Sequence, residues 1–231
     1  MPAITITTAD NASMGGYMAM PASGKGPAVV VIQEIFGVNP WVRSVCDRLA
    51  GHGYIAVAPD LFWRMKPGVQ LNHAVEAEFK EAFALMGKFD FDKGVGDIQA
   101  AISHARKAPG ANGKVGAVGF CLGGSLAYAT ACMTDSDASV GYYAVQIEGK
   151  LDYAKNIKKP LMLHIAESDA FCPPEAQAKI KDGLKGNPNV TLHSYAGAGH
   201  GFARDGSPDY TPAAADQANA RTLELFKKAL A

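Results

Sequence analysis

Short apolar runs alternate with amphipathic runs of helical length along almost the whole chain. Residues 3–8 and 16–20 alternate in period two around Asn11 to Gly16, which predicts an N-terminal antiparallel hairpin. Ala28 to Gln33 is a continuous apolar run and reads as a buried strand, followed by a loop at Glu34 to Asn39 and a helix opening near Pro40. Tyr54 to Ala58 is the next strand, closed by Pro59-Asp60. A loop at 61–70, rich in Phe, Trp, Arg, Met and Pro, leads to a helix over 73–87. Residues 93–107 place Val95, Ile98, Ile102 and Ala105 on one helical face. A strand at Val115 to Val118 runs into helix-forming residues from Ser125. Strands at 139–145, 160–166 and 190–195 and helices at 174–185 and 212–230 complete the pattern. Strands that alternate with helices predict an α/β fold, a mostly parallel sheet flanked by helices on both faces, in one domain over 1–231.

Between the strand at 115–118 and its helix stands Gly119-Phe120-Cys121-Leu122-Gly123-Gly124. A strand that reverses into a helix between small residues forms a nucleophile elbow: the central side chain is thrust above the sheet edge and glycines admit the crossing backbone. Serine is the usual central residue, and here it is Cys121. Asp169 follows the strand at 160–166, and His200 follows 190–195 within Gly197-Ala-Gly-His-Gly-Phe. All three therefore stand beyond the carboxyl ends of strands, where α/β sheets gather their functional groups. The order nucleophile, acid, histidine is that of the α/β-hydrolases. A thiol attacks as thiolate, an imidazole takes and returns its proton, and a carboxylate fixes the imidazole tautomer. Cys121 at a helix N-terminus also gains from the helix dipole.

Composition narrows the alternatives. The 231 residues are 48% hydrophobic and 19% charged, with 22 basic and 22 acidic side chains and a formal net charge of zero. No lysine or arginine cluster exceeds a pair, so neither nucleic acid nor an anionic membrane finds an electrostatic partner. No apolar run approaches a membrane span, and the N-terminal residues lack a signal-peptide pattern, so a cytoplasmic location is expected. Four scattered cysteines (46, 121, 132, 172) read as free thiols rather than a disulfide framework. Six histidines show no metal-ligand spacing, and neither a metal nor a cofactor is expected. Cys46 and Cys132 fall on apolar helix faces and Cys172 has no base placed beside it, so all three read as structural. His164 and His193 read as structural strand residues, His52 as a helix C-terminal turn, and His73 and His104 as surface residues.

Several further motifs lie in order along the chain: Gln33 to Asn39, Ala58-Pro59-Asp60-Leu61, Gly94-Val-Gly-Asp97, Gly116 to Gly124, Gly141-Tyr142-Tyr143 and Ala198 to Arg204. Together these resemble the dienelactone hydrolase (carboxymethylenebutenolidase) family over about residues 28 to 228. The resemblance implies an α/β-hydrolase fold without cofactor, with Cys121 as nucleophile, Asp169 as acid and His200 as base. It makes Glu34 a buried carboxylate that holds the resting thiol and helps to activate it. A carboxylate straight after an apolar run, beside Ile35 and Phe36, is poorly solvated and suits a proton acceptor on its own account. The same resemblance places the amides of Ile35 and Leu122 in an oxyanion hole, Arg204 on a substrate carboxylate, and Phe36 and Tyr142 against the substrate. It departs on the helix at 73–87, where the family carries a second carboxylate-binding arginine. This chain has Phe79 there, with Lys80 about 100° around the helix. Met86 stands where an aromatic residue is expected, and Arg64 is left as a possible substitute from the preceding loop.

The expected reaction is hydrolysis of a dienelactone-like substrate (4-carboxymethylenebut-2-en-4-olide to maleylacetate) through a thioester, by a monomer acting on a small molecule. The alternative enzyme is a broader carboxylesterase or thioesterase with less need for a substrate carboxylate. An alternative of another class is a silent module that binds a small ligand in the same pocket. The complete set Cys121, Asp169, His200 and Glu34 argues against the last.

Overall fold

A computed structural model describes residues 3–231. Each predicted strand and helix is present, most of them within three residues of the expected bounds. The sequence pattern alone suggests one domain, whereas backbone contacts cluster into two units, Met1–Ala117 and Val118–Ala231.

In the first unit, β1 (Ala3–Thr7) and β2 (Ser13–Ala19) form the antiparallel hairpin, turning through Asn11 at a positive φ of 59°. β2 pairs antiparallel with β4 (Ile55–Pro59), and β4 pairs parallel with β3 (Gly26–Ile32). Ala28 to Ile32 are fully buried, which explains their unbroken apolar run. α1 (Pro40–Gly51) begins at Asn39, whose side chain accepts the Val42 amide, and buries Val42, Val45, Cys46, Leu49 and Ala50. α2 (Glu76–Met86) starts three residues later than the periodicity suggests. α3 (Phe91–Arg106) is capped by Asp90 and packs on β3 and β4.

β5 (Ala111–Phe120) carries the division between the two units and ends at the elbow. In the second unit, β6 (Ala138–Tyr142), β7 (Leu161–Ala166) and β8 (Val190–Tyr195) pair in parallel. α4 (Leu122–Met133) is buried at every residue from Leu122 to Cys132, which is why it is apolar all round instead of striped. α5 (Pro174–Leu184) and two 3₁₀ turns, Ile147–Gly149 and Leu151–Asn156, enclose a cluster that includes Tyr128, Cys132, Ile157, Leu163 and Ile180. α6 (Pro212–Ala229) packs on β6. Among the described residues no helix is long and apolar enough to cross a membrane, and no cluster of His, Cys, Asp and Glu could hold a metal ion.

Candidate active site

The elbow is built from glycine and strain. Cys121 holds φ 57° and ψ −118°, a conformation a side-chain-bearing residue adopts only when its surroundings over-determine it. A Cβ on Gly119 would stand 1.9 Å from the Gly123 carbonyl oxygen, and one on Gly124 would stand 2.6 Å from the Tyr142 carbonyl oxygen. Cys121 itself donates its amide to that same Tyr142 carbonyl at 3.1 Å, and its own carbonyl accepts from Gly124 and Ser125. The Leu122 amide opens α4, in the first turn, whose amides have no partner within a helix.

Within the same unit the structure brings Cys121, Asp169 and His200 together. His200 Nδ1 lies 2.7 Å from Asp169 Oδ2, and the imidazole also hydrogen-bonds to the Cys121 side chain. With Nδ1 committed to the carboxylate, Nε2 is the nitrogen that serves the sulfur. Asp169 is 3% exposed, and its Oδ1 accepts the Phe171 amide at 2.8 Å. Burial opposes a charge on His200. The negative charge of Cys121 and the bonds to Asp169 and Cys121 outweigh it, and raise the imidazole to about 10. The arrangement sets the Cys121 side chain against an imidazole that a buried carboxylate orients.

Two aromatic residues that sequence reasoning did not assign to the site stand against the imidazole. Tyr143 meets it edge-on at 5.1 Å between centroids, and Phe171 at 4.8 Å. The signal was present in part, since Phe171 follows Asp169 by two residues and Tyr143 adjoins Tyr142. Gln177 pins the acid loop, donating to the carbonyls of Ala166, Glu167 and Cys172. Burial raises the thiols of Cys46, Cys132 and Cys172, the last two to about 11.

The other expected site residues take varied places. Arg204 is buried, with Nη2 3.4 Å from Ser207 Oγ. Tyr142 is expected against the substrate, but its ring is 1% exposed and its hydroxyl bonds Asn219 and Thr222 of α6, making it an internal tie. In the first unit, Glu34, Ile35 and Phe36 follow β3 and are all buried. Their loop is latched to residues 69–71. Leu71 donates its amide to the Phe36 carbonyl, Gly37 bridges to Gln70, and Asn39 Nδ2 donates to the Leu71 carbonyl. Gly37 is required there, at φ 75°, because a Cβ would meet the Val69 carbonyl oxygen at 2.0 Å. The Phe36 ring lies 6.0 Å from those of both His73 and Phe79, and Phe79 lies 5.0 Å from Phe83. Arg64 binds Asp10 and Asp97, and Lys80 binds Glu76, so both alternative cations have carboxylate partners of their own.

Comparison with known proteins identifies the family. The carboxymethylenebutenolidase 1 of Cupriavidus pinatubonensis is 40% identical over 96% of this chain and 95% of its own. The carboxymethylenebutenolidase of Pseudomonas putida is 41% identical over 96% of this chain and 94% of its own. A crystal structure from Klebsiella pneumoniae, described as a candidate dienelactone hydrolase, superposes with a TM-score of 0.84 at 27% identity and covers 98% of both chains. The sequence profile of the dienelactone hydrolase family matches residues 14–230. The α/β fold, the family profile and these likenesses together place the chain in the dienelactone hydrolase family, hydrolases of ester and lactone bonds.

Proposed function

We propose that this protein opens the ring of a dienelactone-like substrate through a covalent thioester on Cys121. The observation that carries the reading is the left-handed Cys121 hydrogen-bonded to an imidazole that Asp169 orients. The Cys121 thiolate attacks the lactone carbonyl carbon, and the carbonyl electron pair moves to oxygen. The oxyanion rests on the amide of Leu122 at the start of α4. Collapse breaks the ring C–O bond and expels an enolate, which takes its proton from His200. A water then gives a proton to His200 and attacks the thioester, releasing the carboxylic acid and the thiolate. Arg204 receives the substrate carboxylate. The enzyme acts in the cytoplasm as a single chain on a small molecule.

In a lactone the acyl and leaving groups are one molecule, so the intermediate retains the whole substrate. Rapid quench with intact-protein mass spectrometry should therefore show an adduct of full substrate mass on Cys121. Turnover by Cys121→Ala within tenfold of the native rate would refute the mechanism.

A second reading, a broader carboxylesterase with less need for a substrate carboxylate, is favoured by α2. Phe79 and Phe83 are roughly two-fifths exposed there, and the cations Arg64 and Lys80 are paired with carboxylates. A kcat/KM for dienelactone no better than for its methyl ester would select this reading.

A further inference from the structure

The end of β6 carries a backbone duty and a side-chain duty in one residue. The Tyr142 carbonyl holds the Cys121 amide at 3.1 Å. The Tyr142 hydroxyl stands 2.6 Å from Thr222 Oγ1 and donates to Asn219 Oδ1 at 3.0 Å. Thr222 Oγ1 in turn lies 3.0 Å from His164 Nε2. On the far side of that ring, Nδ1 lies 2.8 Å from the Tyr195 hydroxyl, which accepts from Arg221 Nη1 at 3.1 Å. His164 is also the β7 residue opposite Tyr142 in register, its ring 4.4 Å from the Tyr142 ring. Its carbonyl accepts the Tyr143 amide at 2.8 Å.

The donor inventory gives this chain one direction. Arg221 can only donate, so the Tyr195 oxygen accepts and its hydrogen is free for His164 Nδ1. Nε2 then carries the imidazole hydrogen and donates to Thr222, whose own hydrogen goes to the Tyr142 oxygen. The Tyr142 hydrogen ends on the Asn219 carbonyl oxygen. Asn219 Oδ1 can only accept, so these links require His164 to carry a hydrogen on Nε2. A neutral ring leaves Nδ1 free to accept the Tyr195 hydrogen and completes the one-way chain. Its surroundings agree: burial first, then the charges of the stacked His193 and of Arg221, hold His164 well below its usual value. A buried polar chain with every member satisfied fixes one arrangement more firmly than isolated pairs do.

We propose that His164 is a positioning residue for the nucleophile: it closes a one-way hydrogen-bond chain from Arg221 to Asn219 that fixes Tyr142, and through the Tyr142 carbonyl holds Cys121 in its left-handed conformation. The proposal rests on Cys121 being the nucleophile. His164 touches neither substrate nor sulfur. It acts through Tyr142, whose carbonyl is wedged between the Cys121 amide and Gly124, where a small shift of β6 is felt at the elbow.

The test uses the milder links, Thr222→Val and Tyr142→Phe, with Thr222→Ser as the conservative variant. Valine removes the hydroxyl and phenylalanine the last two links, while both keep the shape. The expected result for Thr222→Val and Tyr142→Phe is a kcat about tenfold lower with KM within twofold. The rate of iodoacetamide alkylation mapped to Cys121 falls in parallel, and Thr222→Ser stays within twofold of the native protein in both. Lowered melting temperatures with native kcat and native alkylation in Thr222→Val and Tyr142→Phe would overturn the proposal and leave the chain as scaffolding. Failure of the nucleophile reading shows elsewhere, as turnover that survives Cys121→Ala.

Discussion

The carbonyl of Ala198 accepts the amide of Ser168 at 2.9 Å, so the loop bearing His200 is stitched to the loop bearing Asp169 one residue from the carboxylate. The acid and the base are thus held as a unit, and the imidazole depends on Asp169 for its tautomer as well as its place. Asp169→Asn should keep a cooperative melt but lower kcat by about 10²–10⁴-fold. In the native protein kcat/KM should hold from neutral pH up to about 10 and decline beyond it, where His200 loses the proton that the leaving group needs. In Asp169→Asn that alkaline limb should move to lower pH, since one of the groups that raise His200 is gone.

Asp97 is 3% exposed as a side chain and is held by Arg64 Nη2 at 2.8 Å and Trp63 Nε1 at 2.8 Å. Removing the guanidinium leaves a buried carboxylate with only the indole. Arg64→Ala should cost about 2 kcal/mol, less than a fully buried pair because Arg64 keeps some contact with solvent. A denaturant titration measures the loss. The ratio of kcat/KM for anionic and neutral substrates should stay unchanged, because Arg64 is bound to Asp10 and Asp97.

His164 gives stability an acid limit. Its folded value lies below the unfolded one near 6.5, so the folded state binds fewer protons as pH falls. The contribution is fully present above about 6.5 and is lost as pH drops toward the folded value. Over that window His164→Gln should flatten the slope of unfolding free energy against pH by about 1.4 kcal/mol per unit. Equal slopes for the two proteins would show that another group sets the acid limit.

Gly119→Ala tests the elbow from its other wall. The new methyl would lie 1.9 Å from the Gly123 oxygen and 2.4 Å from its carbonyl carbon, both backbone atoms that cannot rotate aside. A cost of about 3 kcal/mol or more is expected, with turnover lost even where circular dichroism reports retained helix and sheet.

That Cys121, Asp169 and His200 would lie together was legible because each follows an apolar run that reads as a strand, and strand ends are where an α/β sheet places its chemistry. What escaped depends on direction and distance. Tyr142 and Tyr143 are neighbours in one motif, yet adjacent residues at a strand end point to opposite sides. Tyr143 meets His200 while Tyr142 turns to α6, a division that the shared motif does not reveal. Arg64 finds partners 54 and 33 residues away, a pairing that no local pattern announces. The late start of α2 follows from Asn72, whose side chain accepts the Ala74 amide and whose own amide goes to Glu78, holding 72–75 out of the helix. The 3₁₀ turns at 147–156 are too short to carry a period.

Sulfur in place of oxygen at the elbow also sets how the protein ages. The three other thiols are raised by burial and resist oxidation. Cys121, paired with a protonated imidazole, is the one poised to lose electrons to peroxide. Mild peroxide should therefore silence the protein by a single sulfenic acid per chain, with activity recovered by dithiothreitol. The working lifetime of this hydrolase would then follow the redox state of its surroundings more closely than its thermal stability.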